Sequence, residues 1–211
     1  MSFELKSGAS SDIATVDATS KAVRVTSYDA TGRSLALHSK ATFFASGFFT
    51  PVATPTDLVT IYGSATKTVR VLSVRIGTTN TAAGSQQFFL VKRSAVNTTG
   101  TFVAATVVQA DAADAATTAT SVGHYTANPG GLGTSLGNVN IKRVASPAAI
   151  PATWAAVVQD ATIEMLDVAG QSQLAKFVAL NGVAQGLAVN FGGVALVAGQ
   201  THVWSITWIE E

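Results

Sequence analysis

Cysteine is absent from the 211 residues, and only 12% of them are charged, about half the usual quarter. Without cysteine there can be no disulfide framework, no thiolate zinc centre and no iron–sulfur cluster. Thirteen Lys and Arg stand against twelve Asp and Glu, a net charge of +1. A chain this close to neutral has few cations to exchange for counterions along a nucleic-acid backbone, so no nucleic-acid partner is expected. Histidine is scarce too: His38, His124 and His202 are far apart, and none has a second metal ligand at a useful spacing. No cofactor is expected. Disorder throughout is excluded by the 47% hydrophobic content with little net charge.

Long apolar runs are missing as well. The longest uncharged stretch, Phe177–Thr201, is interrupted by Asn181, Gln185, Asn190 and Gln200. Asn181-Gly182 and Gly192-Gly193 within it read as hairpin turns, so two strands are expected there, not a membrane span. Met1–Gly8 shows no apolar core followed by a small-residue cleavage site. The expectation is a protein made and kept in a cytoplasm, with no membrane partner.

What remains is rich in Ala, Thr, Val and Gly, arranged as short strands between turns. The expected strands are Asp57–Tyr62, Lys67–Ile76, Gln86–Arg93, Phe102–Gln109, Thr117–Thr126, Asn138–Val144, Ala161–Leu166, Leu174–Leu180, Gly186–Phe191 and His202–Ile209. In the second, the alternation of Val69, Arg70 and Val71 slips phase at Leu72-Ser73, which predicts a bulge. In the last, Trp204, Ile206 and Trp208 share one face and should anchor the core. Only Ala110–Ala119 has helical composition, and it lacks an apolar stripe, so a polar loop fits equally well. Many short strands with almost no helix imply an all-β fold. About ten strands over residues 51–211 suit a jelly-roll-like β-sandwich.

Residues 1–50 read differently. Strand-like pieces at Ser11–Val16 and Ala22–Tyr28 precede a turn at Asp29–Gly32. Ala41–Thr50 then packs four Phe into seven residues, ahead of Pro51 and Pro55. This segment is expected to be an extended docking arm. Its contact residues would be Phe43, Phe44, Phe48 and Phe49, with Arg24 and Tyr28. A surface of Ala, Thr, Ser and Asn with so little charge suggests burial between copies, so a homotrimer is expected.

The motif search finds no chemistry. Gly133-Thr-Ser-Leu-Gly137 matches G-x-S-x-G, but a nucleophile elbow needs a strand before the Ser and a helix after it. Here a loop precedes Ser135 and a strand follows. Asp111 and Asp114 lack the ligand density of a calcium loop. Asn97-Thr98-Thr99 is a sequon that means nothing without secretion. Charge is unevenly spread. Residues 57–93 hold Lys67, Arg70, Arg75, Lys92 and Arg93 against Asp57 alone, whereas 101–211 hold three cations against seven acids. Complementary contact between subunits is one expectation from this asymmetry; exposed faces of different strands are another.

Four phrases carry a resemblance: Ser11–Asp17 with Lys21–Gly32, Gly63–Gly77, Leu90–Ser94, and the ending Trp204–Glu211. They resemble segments of structural proteins of tailed bacteriophages. The resemblance implies a non-enzymatic virion component, assembled in the host cytoplasm, whose partners would be itself and the major capsid protein or another virion protein. Among such proteins jelly rolls and trimers are common. A capsid decoration or cement role is the expectation; a collar, tail or fibre protein touching the host surface is the alternative. The family carries no catalytic residues to transfer.

Overall fold

A computed structural model describes residues 13–16, 23–26, 40–79, 84–146, 161–167, 178–196 and 199–211. The chain divides into two units, Met1–Ala41 and Thr42–Glu211. In the first, β1 (Ile13–Val16) pairs antiparallel with β2 (Val23–Thr26), Ile13 facing Thr26 and Val16 facing Val23. The expected turn at Asp29–Gly32 lies outside the described residues.

The second unit is all-β; among the described residues there is no helix. Its strands are β3 (Ala41–Phe49), β4 (Asp57–Tyr62), β5 (Thr68–Thr79), β6 (Gly84–Arg93), β7 (Thr101–Ala104), β8 (Val107–Gln109), β9 (Thr120–Ala127), β10 (Ser135–Ser146), β11 (Ala161–Asp167), β12 (Val178–Asn181), β13 (Gly186–Asn190) and β14 (Thr201–Glu210). They form two antiparallel sheets packed face to face. One has the order β10-β6-β13-β4-β9-β7; the other runs β11-β5-β14-β3-β8, with β12 also on β5. The chain runs out through β4, β5 and β6 and comes back through β10, β11–β12 and β13. Each outgoing strand pairs with its returning counterpart: β6 with β10, β5 with β11 and β12, β4 with β13.

The core follows from period-two alternation, which puts every second side chain on the inner face. In β14, His202, Trp204, Ile206 and Trp208 are buried while Val203 is exposed. Trp208 stacks on Phe43 at 5.6 Å. The bulge in β5 is where the sequence places it. Thr207 faces Ser73 and Trp208 faces Val71, so Leu72 has no opposite number, and Val69, Val71, Val74 and Ile76 all reach the core.

Three readings need correction. Ala41–Thr50 is not part of an arm: Ala41–Phe49 is a strand between β14 and β8. The reason is its own alternation, which buries Phe43, Ala45 and Phe49 and leaves Phe44, Ser46 and Phe48 outside. Phe102–Gln109 is not one strand but two in opposite sheets, with the crossing at Ala105-Thr106. Neither Asn181-Gly182 nor Gly192-Gly193 closes a hairpin, since β12, β13 and β14 alternate between the two sheets. Gly182 adopts φ +77°, but β12 belongs to the sheet of β5 and β13 to the sheet of β4 and β6, so the turn carries the chain between layers.

The Ala-rich segment 110–119 is a loop. With no apolar stripe to bury as a helix, it is tied down by polar contacts instead. Glu210 accepts hydrogen bonds from Thr118 N and Oγ1 and from Ala119 N at 2.7–3.1 Å, and from Trp208 Nε1 at 3.3 Å. Burial alone would raise the Glu210 carboxyl, but these donors and Thr117 hold it below the ordinary carboxylate value.

A candidate interaction face

The two outer faces of the sandwich differ. On the sheet of β4, β6 and β13, a mantle of loop covers a buried polar network. Arg93 donates to both oxygens of Asp57, Nη2 to Oδ1 at 2.8 Å and Nε to Oδ2 at 3.0 Å. Asn190 and Asn97 add one amide bond each to the same carboxylate, at 2.6 and 3.0 Å. The third Arg93 donor reaches the Gly133 carbonyl at 2.9 Å, and Asn97 Oδ1 accepts from Gly133 N at 2.8 Å. The Tyr62 hydroxyl accepts from Asn97 N, and burial pushes that phenol up to about 12. Every polar atom here has work inside the fold, so the network binds β4, β6, β13 and two loops together.

This explains two sequence features. Asn97, the acceptor of the sequon, is buried with its amide donated to Asp57. Gly133 has a packing role: a Cβ there would lie 1.8 Å from the Ala95 carbonyl oxygen. Ser135 opens β10 on the surface, where its Oγ accepts from Gly137 N.

The other sheet presents its outer face to solvent. Phe44 and Phe48 stand on β3, 42% and 63% exposed. Val108 of β8 lies directly opposite Phe44. Val203 stands on the outer side of β14, close to half exposed. Between these apolar groups lie the short hydroxyls of Ser46, Ser205 and Thr207. Two shallow grooves open here. One, of about 250 Å³, runs between Phe44, Val108, Thr106, Ser205 and Thr207. The other, of about 230 Å³, lies between Val203, Ser205, Gly77 and Arg75. Gly77 leaves room there because it has no side chain. Apart from Arg75 at the margin, these groove-lining residues carry no charge.

The charges that look unbalanced along the sequence meet within the chain. Arg75 pairs with Glu164 at 3.0 Å and Asp167 at 3.7 Å, Arg70 with Glu211 at 2.9 Å, and Lys67 with Glu210 at 3.6 Å. Lys67, Arg70 and Arg75 meet late acids because β5 neighbours β11 and β14 on one sheet; Lys92 instead reaches the Ala179 carbonyl, and Arg93 the early Asp57.

Of the contact residues expected from sequence, Phe44 and Phe48 lie together on the open face. Phe43 and Phe49 do not: both are core residues, stacked on Trp208 and on two histidines. Arg24 sits on β2 opposite Thr15; Tyr28 lies outside the described residues, as do His38 and Trp154. Val108 and Val203 belong to the face as well. The alternation of Val203 against Trp204 was the available signal for the latter. Among the described residues, no group of three His, Asp or Glu could hold a metal ion, and no helix is long and apolar enough to cross a membrane. Neither a protein-family model, nor a curated protein, nor a solved structure matches the chain.

Proposed function

We propose that this chain is a non-enzymatic structural protein of a tailed-phage virion, a capsid decoration protein that self-associates through the outer face of β3, β8 and β14. The observation that carries this reading is the open patch of Phe44, Phe48, Val108 and Val203. Large apolar side chains grouped on one sheet face are uncommon on proteins that act alone, and mark association surfaces. The low net charge adds little repulsion between copies. The sandwich reads as a jelly roll, because its outgoing and returning strands form one antiparallel ribbon folded across two sheets. Jelly rolls are used in viral capsids. The phage resemblance supplies the rest of the reading: a trimer, and the major capsid protein as its support. Residues 1–41 take the docking role. Two four-residue strands make a pair that is marginal alone in water, and such a pair suits addition to a partner's sheet edge.

The test is light scattering at micromolar concentration on the wild type and on Phe44→Ser/Phe48→Ser. The wild type should give three times the mass of the 21.5 kDa chain, and the double variant the monomer. Because both side chains are exposed on the single chain, the monomeric variant should still be folded, with a cooperative urea transition. A monomeric wild type, or a variant that associates as before, would overturn the reading.

A further inference from the structure

His202, the second residue of β14, lies between the two sheets and is fully buried. Three phenyl rings wall its imidazole. Phe49 of β3 stacks at 5.5 Å, and Phe191 and Phe88 stand edge-on at 5.0 and 6.0 Å. Phe49 also stacks on a second imidazole, His124 of β9, at 5.1 Å. No side chain among the described residues hydrogen-bonds the His202 ring, whose one polar neighbour is the Gly77 backbone, and Nδ1 of His124 has no partner among them. Gln200, just before β14, is buried with its amide unpaired among the described residues.

The groups facing His202 can be named element by element. β3 offers Phe49, β6 offers Phe88, the end of β13 offers Phe191, β5 offers Gly77 and Thr78, and β9 offers His124 beyond Phe49. Only His124 titrates. No carboxylate among the described residues is placed to accept a proton's charge from either ring. Burial drives His202 down to about 4, against a smaller opposing pull from the Gly77 backbone. Burial lowers His124 as well.

We infer that His202 is an acid-sensitive latch on β14, and that protonating its ring opens the sandwich. The charged ring has no counter-ion inside the aromatic cluster, so it must leave the core to keep its proton. β14 is a central strand between β5 and β3. Its inner face cannot be vacated without parting the two sheets. The far end of the strand is held by Glu210, whose contribution begins to fade only as pH falls below the ordinary carboxylate value, whereas that of His202 fades from 6.5. Acid therefore acts on the His202 end first. This device resides in the core and does not depend on the assembly reading.

The sign is fixed by linkage. In the unfolded chain His202 takes up its proton near the ordinary value of 6.5, whereas the folded chain refuses it until about 4. Stability is whole above pH 6.5 and falls steadily below it.

The experiment is guanidinium unfolding of the full chain at pH 7.5, 6.5, 5.5 and 4.5, for the wild type and His202→Phe, with an NMR titration of the wild-type imidazoles. The wild-type folding constant should fall about 100-fold between pH 7.5 and 4.5. His202→Phe should lose most of that dependence down to pH 5, above the range where carboxylates protonate. The His202 ring signals should not move in the native protein down to pH 5. A native His202 titrating near 6.5, or a wild-type stability that is flat from pH 7.5 to 5, would overturn the inference. So would a His202→Phe protein that follows the wild-type curve. If that variant does not fold, the two wild-type measurements decide.

Discussion

Replacing Asp57 with alanine should cost about 3–5 kcal/mol of folding stability, because Arg93 would keep a buried charge with no partner. Arg93 is only 6% exposed, and two of its donors end on Asp57. The amides of Asn97 and Asn190 would lose their acceptor as well. The loss should show in urea unfolding at pH 7. The deficit belongs to the orphaned guanidinium and not to the pair as such, so a control separates the two. Asp57→Leu combined with Arg93→Met removes both charges and should recover a large part of the loss, since an apolar pair of similar volume is often no worse than a buried ion pair. A single variant within about 1 kcal/mol of wild type would show that the guanidinium finds water or another acceptor, and that the network does not hold the mantle down.

Glu210→Gln should be the second large effect, about 2–4 kcal/mol, since hydrogen bonds to a charged acceptor are worth more than neutral ones and several end on this carboxylate. The glutamine keeps the size but turns one acceptor oxygen into a donor amide. That amide would face Thr118 N and Ala119 N, which are donors themselves. Lys67, 3.6 Å away, would lose its partner too. Because those donors belong to the loop after Asp114, hydrogen exchange at Thr118 and Ala119 should quicken more than in the strands. The wild type carries the same signature in pH. The folded carboxyl is held below its ordinary value, so its contribution is present at neutral pH and fades as pH falls below the carboxylate range. Unchanged exchange at Thr118 and Ala119 in the variant would show that the loop is held by something else.

The sequence was most legible where a pattern is local. The slip at Leu72-Ser73 can be read from the alternation of Val69, Val71, Val74 and Ile76, because a sheet face tolerates no ambiguity about which side a valine takes. Trp204 and Trp208 are legible as core residues for the same reason. The Phe cluster held the same information: Phe43 and Phe49 share one parity, Phe44 and Phe48 the other. Reading the four as a group hid the fact that β3 has a buried face and an open one. Two things could not be read locally. The first is which sheet a strand joins. Asn181-Gly182 has the chemistry of a tight turn, but turn chemistry does not say whether the next strand pairs with the last or crosses to the other layer. At Ala105-Thr106 not even a Gly or Pro marks the crossing. The second is any contact between distant residues. Asp57 and Arg93 are 36 positions apart, and Glu210 and Thr118 are 92 apart. Nothing near either residue in sequence announces its partner.

The same division applies to the candidate face. Phe44 and Phe48 could be named from sequence, while Val108 and Val203 join them only through the pairing of β3 with β8 and its neighbourhood with β14. The arrangement of this sheet therefore turns scattered apolar residues into one surface, and the assembly reading depends on that surface.

Cryo-electron microscopy of the assembly that contains this chain tests that reading most directly. The account predicts trimers on the capsid lattice, with Phe44, Phe48, Val108 and Val203 buried against a neighbouring copy. Copies whose β3–β14 face stands open to solvent, with contacts made only through the loop mantle over β4, β6 and β13, would contradict it.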